Sequence, residues 1–102
     1  MPYIKDHMRD RVYPDLEKLI DNVRTFNEEQ KDGVLNYIFT IMLAGSFDNE
    51  SYLTYQRKIG ILECCKLELY RSRVAPYEEK KKEENGDAFY KAFRIKWHLN
   101  QI

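Results

Sequence analysis

Histidine, glycine and cysteine are scarce in this 102-residue chain, and neither sign of charge outnumbers the other. The two histidines, His7 and His98, lie in opposite terminal segments. A His-based metal site or a Cys–His dyad would therefore need both ends of the chain to fold onto one spot. Gly33, Gly45, Gly60 and Gly86 make neither a phosphate-cradling loop nor a dinucleotide fingerprint. The two cysteines, Cys64 and Cys65, lack the two-residue gap of a redox or zinc motif. Adjacent helical positions point about 100° apart, so a bridge between them is geometrically poor and reduced, buried thiols are expected. Seventeen basic and seventeen acidic residues cancel, which excludes a general attraction to nucleic acid or to an anionic membrane. The longest apolar run, Tyr37 to Gly45, is interrupted by Thr40 and is too short for a bilayer, and the opening MPYIKDHMRD lacks the apolar core of a signal peptide. These absences predict a cytoplasmic protein that is not an enzyme and that holds no metal or cofactor.

What is present is helical periodicity and tyrosine. Fourteen residues are aromatic and eight of them are Tyr, a side chain that serves both a core and a wet contact surface. Val12, Leu16, Leu19, Ile20, Val23 and Phe26 fall on one helical face, with Pro14 suited to the first turn after an irregular entry from Asp6. Asn27 to Gly33 reads as a polar connection. Val34 to Ala44 is apolar nearly all round, with Asn36 and Thr40 as its polar pair, and is expected to be the central, most buried helix, ended by Gly45-Ser46. Tyr37 to Leu43 could also be read as a strand, but it lacks alternation and has no convincing second strand to pair with.

The longest element is expected from Ser51, as N-cap, to Val74, broken or kinked at Pro76. A short helix over Tyr77 to Glu84 should stop at Asn85-Gly86, and Asp87 should cap a last amphipathic segment carrying Phe89, Tyr90, Phe93 and Trp97. The reading is an all-α single domain over 1–102, a compact bundle of four to five helices whose residues 88–102 form a C-terminal extension helix. Gly60, inside the long helix, hints at close approach of another helix.

Two clusters carry the chemistry. Tyr52, Tyr55, Ile59, Leu62, Glu63, Lys66, Tyr70 and Val74 project within one sector of the third helix, so Glu63 and Lys66 interrupt an apolar and aromatic face. They form either an intrahelical pair at the core rim or a polar notch that touches a ligand or a second subunit. Arg71, Arg73 and the Ala75-Pro76-Tyr77 corner set guanidinium forks beside an aromatic ring, which suits phosphates and bases. The competing reading is cationic capping of the helix C-terminus. Glu78, Glu79, Glu83 and Glu84 are interspersed with lysines and read as a solvated face.

The motifs MPYIK, LNY, IGILECCKLELYR, VAPYE and ENGD, in that order, resemble a family of short, uncharacterised helical proteins from phage and bacterial genomes. The resemblance covers roughly Met1 to Asp87 and implies no chemistry. Arg71, Pro76, Tyr77, Glu78, Asn85 and Asp87 fall in the matching motifs, while Cys65 stands where a small residue such as Ala is expected. A phage context implies a small protein that neutralises a host system by binding. One expectation is a homo-oligomer that sequesters a nucleotide-type host signalling molecule through Glu63, Lys66, Tyr70, Arg71, Arg73, Tyr77, Asn85 and Asp87. The other is a module that inhibits or scaffolds a host protein through its aromatic helical faces. A third is a purely architectural homodimer.

Overall fold

The computed structural model describes residues 2–89, which contain helices and no strand. Helix α1 spans Asp6–Arg24, α2 Glu28–Gly45, α3 Tyr52–Leu69 and α4 Ala75–Asn85, and a π-helical turn at Tyr70–Val74 joins α3 to α4. The all-α expectation holds. Among the described residues the helices make three continuous segments, because α3, the π turn and α4 follow one another without a non-helical residue. Residues up to Cys65 form one compact unit and those from Lys66 a second, with the boundary inside α3. The expected tail helix, including Tyr90, Phe93 and Trp97, lies outside the described residues.

Helix α1 begins at Asp6, so Pro14 sits inside it and not in its first turn. Lys5 is extended, and its carbonyl accepts the N–H groups of Met8 at 3.0 Å and Arg9 at 3.2 Å. Arg9 adds an ion pair to Asp6 and a hydrogen bond to the Ile4 carbonyl, which hold the polar first turn together. Pro14 then removes one helical bond, to the carbonyl of Asp10, whose exposed position leaves that oxygen to water.

The segment read as a polar connection belongs mostly to α2. Asn27 is the extended N-cap residue, and its N–H bonds to Oε1 of Gln30 at 3.2 Å, one half of a capping box. Glu28 and Glu29 occupy the positive end of the helix dipole, and Lys31 reaches Glu28 at 2.6 Å. Only Thr25 to Asn27 remain as the link, with Thr25 Oγ1 donating to the Asn22 carbonyl at 2.6 Å. Helices α1 and α2 therefore form a hairpin whose seam is half-buried at Leu19, Val23, Val34 and Ile38.

The start of α3 agrees with the sequence. Ser51 Oγ accepts the Thr54 N–H at 3.2 Å, and Thr54 Oγ1 accepts the Ser51 N–H at 2.9 Å. One helical turn further, Lys58 donates from Nζ to the Ala44 carbonyl at 3.4 Å, at the C-terminal end of α2. Its ammonium lies 5.8 Å from the Phe47 ring centroid, and Arg57 stacks over the same ring at 4.5 Å. This corner holds the only two buried side chains among the described residues, Thr54 at 5% and Lys58 at 9% exposure.

Three expectations about burial are overturned. Helix α2 buries no residue: Tyr37 is 67% exposed, and Phe39, Ile41 and Met42 are also exposed. Its all-round apolar pattern marks a helix only partly covered, half-buried at Val34, Leu35, Ile38 and Leu43 and open on the rest of its surface among the described residues. Cys64 and Cys65 are exposed. A Cβ added at Gly60 would meet nothing within 4 Å, so no described helix approaches closely there.

Lys58→Met should lower stability by about 1–2 kcal/mol in urea unfolding, through loss of a charge-assisted hydrogen bond and of the ammonium's contacts with the Phe47 ring and with the Tyr55 ring, whose centroid is 5.5 Å away. An unchanged midpoint would show that the corner adds nothing. Gly60→Ala should raise stability by about 1 kcal/mol, the helix-propensity difference with no steric opposition. A loss in the same measurement would reveal a helix packed on that position.

Candidate functional site

In the second unit the expected proline break is a change of helical pitch. Proline has no N–H, and inside a helix its ring collides with the carbonyl four residues back. Here the Ala75 N–H bonds to the Tyr70 carbonyl, five residues back, and Val74 and Ala75 keep right-handed helical angles. The wider turn takes the preceding carbonyls away from the Pro76 ring, and the helix continues. Pro76 occupies the opening turn of α4, where a missing donor costs least.

The π turn sets the directions of the corner residues. Arg71 and Arg73 are two positions apart, so their side chains leave opposite sides of the helix and cannot clamp one phosphate from a single chain. Arg71 pairs with Glu68 at 3.6 Å, and the same Glu68 accepts a hydrogen bond from Ser72 Oγ at 2.8 Å. The Arg73 side chain makes no ion pair or hydrogen bond among the described residues. Tyr70 donates its phenol O–H to Glu78 at 3.0 Å, and Lys81 places its ammonium 5.5 Å from the Tyr77 ring centroid. One face of the ring expected to stack on a base is thus already covered by a cation.

The remaining expected site residues divide between a stop signal and an open face. Asn85 ends α4; Gly86 takes φ of 85°, which favours glycine, and donates its N–H to the Lys82 carbonyl at 2.8 Å. Asp87 accepts the Phe89 N–H at 2.8 Å and lies 3.8 Å from Lys82, so Asn85 and Asp87 terminate the helix and cap the turn leading to Phe89. Glu63 and Lys66 are exposed on α3. Neither is without a partner.

The first unit presents apolar surface. Tyr52, Tyr55, Ile59 and Leu62 follow a 3-4-3 spacing along α3, and Tyr52 at 78% and Ile59 at 67% are among its most exposed side chains. Tyr55 donates to Glu50 at 3.3 Å. The α1–α2 hairpin carries a groove of about 430 Å³ lined mainly by apolar side chains, Phe39 among them, with Arg24 and Lys31 also in its lining. Sequence reasoning missed this groove, the partners Glu68 and Glu78, and the Lys58 corner. The spacing of Leu16 and Ile20 with Leu35, Phe39 and Met42 was available as a signal for the groove, whereas nothing local links Lys58 to Ala44. Among the described residues no three His, Cys, Asp or Glu side chains converge on a metal-sized point, and no helix is long and apolar enough to cross a membrane.

Two phenols have raised pKa values. The negative charge of Glu50 is the main cause at Tyr55, and the hydrogen bond to Glu78 is the main cause at Tyr70. Because the folded value lies above the ordinary one near 10, the Tyr70 contact stabilises fully below the unfolded pKa and is lost as pH rises through the folded one. In an ultraviolet difference titration Glu78→Gln should bring Tyr70 back towards the ordinary value. Identical curves for the two proteins would mean that the contact does not form in solution.

No curated protein and no solved structure matches the chain. A family model described as a domain of unknown function matches residues 1–88, all of the first unit and the part of the second up to Ala88. On the extent of that match, the chain belongs to the DUF6899 family.

Proposed function

We propose that the chain is a non-enzymatic interaction protein that works as a homo-oligomer and engages a partner protein through the Tyr52-Tyr55-Ile59-Leu62 stripe of α3. The observation that carries this reading is the absence of any buried apolar side chain among the described residues, set against large exposed apolar side chains along α1, α2 and α3. Each Leu, Ile or Phe left in water forgoes about 1.5–3 kcal/mol of burial free energy, and association recovers it. Tyrosine suits a face that alternates between wet and covered states, since the ring buries area while the hydroxyl keeps a polar partner, as Tyr55 does with Glu50. The 3-4-3 spacing fits an amphipathic helix of the partner laid along α3. The resemblance to phage and bacterial proteins points to a host protein as that partner.

Sequestration of a nucleotide-type host signalling molecule is the second reading, and the Arg73 guanidinium, without a partner among the described residues, favours it. It ranks lower because Arg71 and Arg73 diverge, Glu68 and Glu78 place negative charge beside the phosphate position, and Lys81 covers one face of Tyr77. Under this reading a site would have to be completed by another subunit.

The two readings separate in one experiment. Tagged wild type, Ile59→Glu and Arg73→Ala are incubated with host extract, and both retained proteins and retained small-molecule masses are measured. A host protein held by wild type and Arg73→Ala but reduced at least tenfold with Ile59→Glu is the expected result. A nucleotide mass lost only with Arg73→Ala would establish the second reading in its place.

A further inference from the structure

The groove between α1 and α2 differs in chemistry from the α3 stripe. Leu16, Ile20, Leu35, Ile38, Phe39 and Met42 line it, with no tyrosine and no uncharged polar side chain, so it has little to offer water. The hairpin seam at Leu19, Val23 and Val34 is half-buried, while Leu16, Ile20, Phe39 and Met42 beyond it stay exposed. Interfaces made only as partners come and go retain polar groups; permanent ones resemble a core cut in half. This groove is of the second kind.

We infer that the α1–α2 groove docks on the same groove of a second copy, the two hairpins completing a four-helix bundle about a two-fold axis. The inference rests on the homo-oligomer part of the proposed function and names the surface that makes it. Helices of 19 and 18 residues give a face about 27 Å long, and two helices abreast give about 20 Å of width. That face is on the order of 500 Å² in projection and larger as accessible surface, close to the ~800 Å² per partner of a stable dimer.

Charge sets the direction. Arg24 lies at the loop end of the groove, and Glu17, seven residues earlier, lies two turns away on the same side of α1. Neither side chain has an ion pair or hydrogen bond among the described residues. When two α1 helices meet antiparallel with the axis near Ile20, position 24 of one copy falls opposite position 17 of the other. Arg24 then meets Glu17 of the second copy twice, once on each side of the axis. A parallel arrangement would instead lay α1 over α2 of the second copy with the loop ends together, setting Arg24 of one against Lys31 of the other, like charge against like.

The test uses the full chain at micromolar concentration, with mass read by native mass spectrometry and light scattering. Wild type is expected as a dimer or a multiple of one, and Ile20→Glu as a monomer. Arg24→Glu should weaken the dimer at least tenfold, and adding Glu17→Arg to it should restore association. In a Cys64→Ser, Cys65→Ser background, Ile20→Cys should give a disulfide-linked species of twice the chain mass under mild oxidation. If Ile20→Glu keeps the wild-type assembly and Ile20→Cys does not cross-link, the groove is not the interface, although the homo-oligomer reading stands. A monomeric wild type overturns both, and a retained amphiphile or foreign protein lost with Ile20→Glu from an otherwise monomeric chain assigns the groove to that occupant.

Discussion

Water against apolar helix faces is the constraint on which the rest of this structure depends. The helices are well specified one at a time, by caps, by ion pairs at their first turns and by periodic apolar positions. Yet among the described residues only Thr54 and Lys58 are buried, and both are polar. Helical hydrogen bonds contribute little net free energy in water, and most helix stability in proteins comes from covering an amphipathic face. A chain of this length is near the size at which a core of its own is adequate, yet no apolar side chain is buried among the described residues.

The contacts that hold the elements in place are correspondingly polar and local. Lys58 puts its ammonium on the Ala44 carbonyl near the end of α2, where the helix dipole is negative, and both Arg57 and Lys58 lie close to the Phe47 ring. In the second unit the π turn performs the corresponding task for proline: one wider turn absorbs the missing donor and the steric bulk, and the helix continues to Asn85. In the same region Tyr70 donates to Glu78, while Arg71 and Arg73, two positions apart, leave the helix on different sides as they would in any helix.

Chemistry divides the exposed surface. The α3 stripe carries two tyrosines, and their hydroxyls keep it tolerable in water, which fits an encounter surface. The α1–α2 groove is aliphatic and fits a permanent one. Membership of a family without assigned chemistry leaves these physical differences as the basis for distinguishing the two faces.

Much of the fold was legible from the residues. The helical character of Val12 to Arg24 and of Val34 to Ala44, the Ser51 cap and the Asn85-Gly86 stop are all set by side chains within four or five positions, and these are found as the pattern places them, whereas the expected burial of Val34 to Ala44 is not. The starts of α1 and α2 were misread because Pro14 and Gly33 look like boundaries, while Arg9 with Asp6 and the Asn27–Gln30 box extend the helices past them. Pro76 was read as a break or a kink because a one-residue widening of the helix leaves no trace in composition. The sequence by itself determined helix faces, caps and stops, since their causes lie within a turn or two. Tertiary structure alone decided that Lys58 reaches Ala44 fourteen residues away and that α2 and Gly60 lie open, because periodicity says which side chains share a face and nothing about what lies over it.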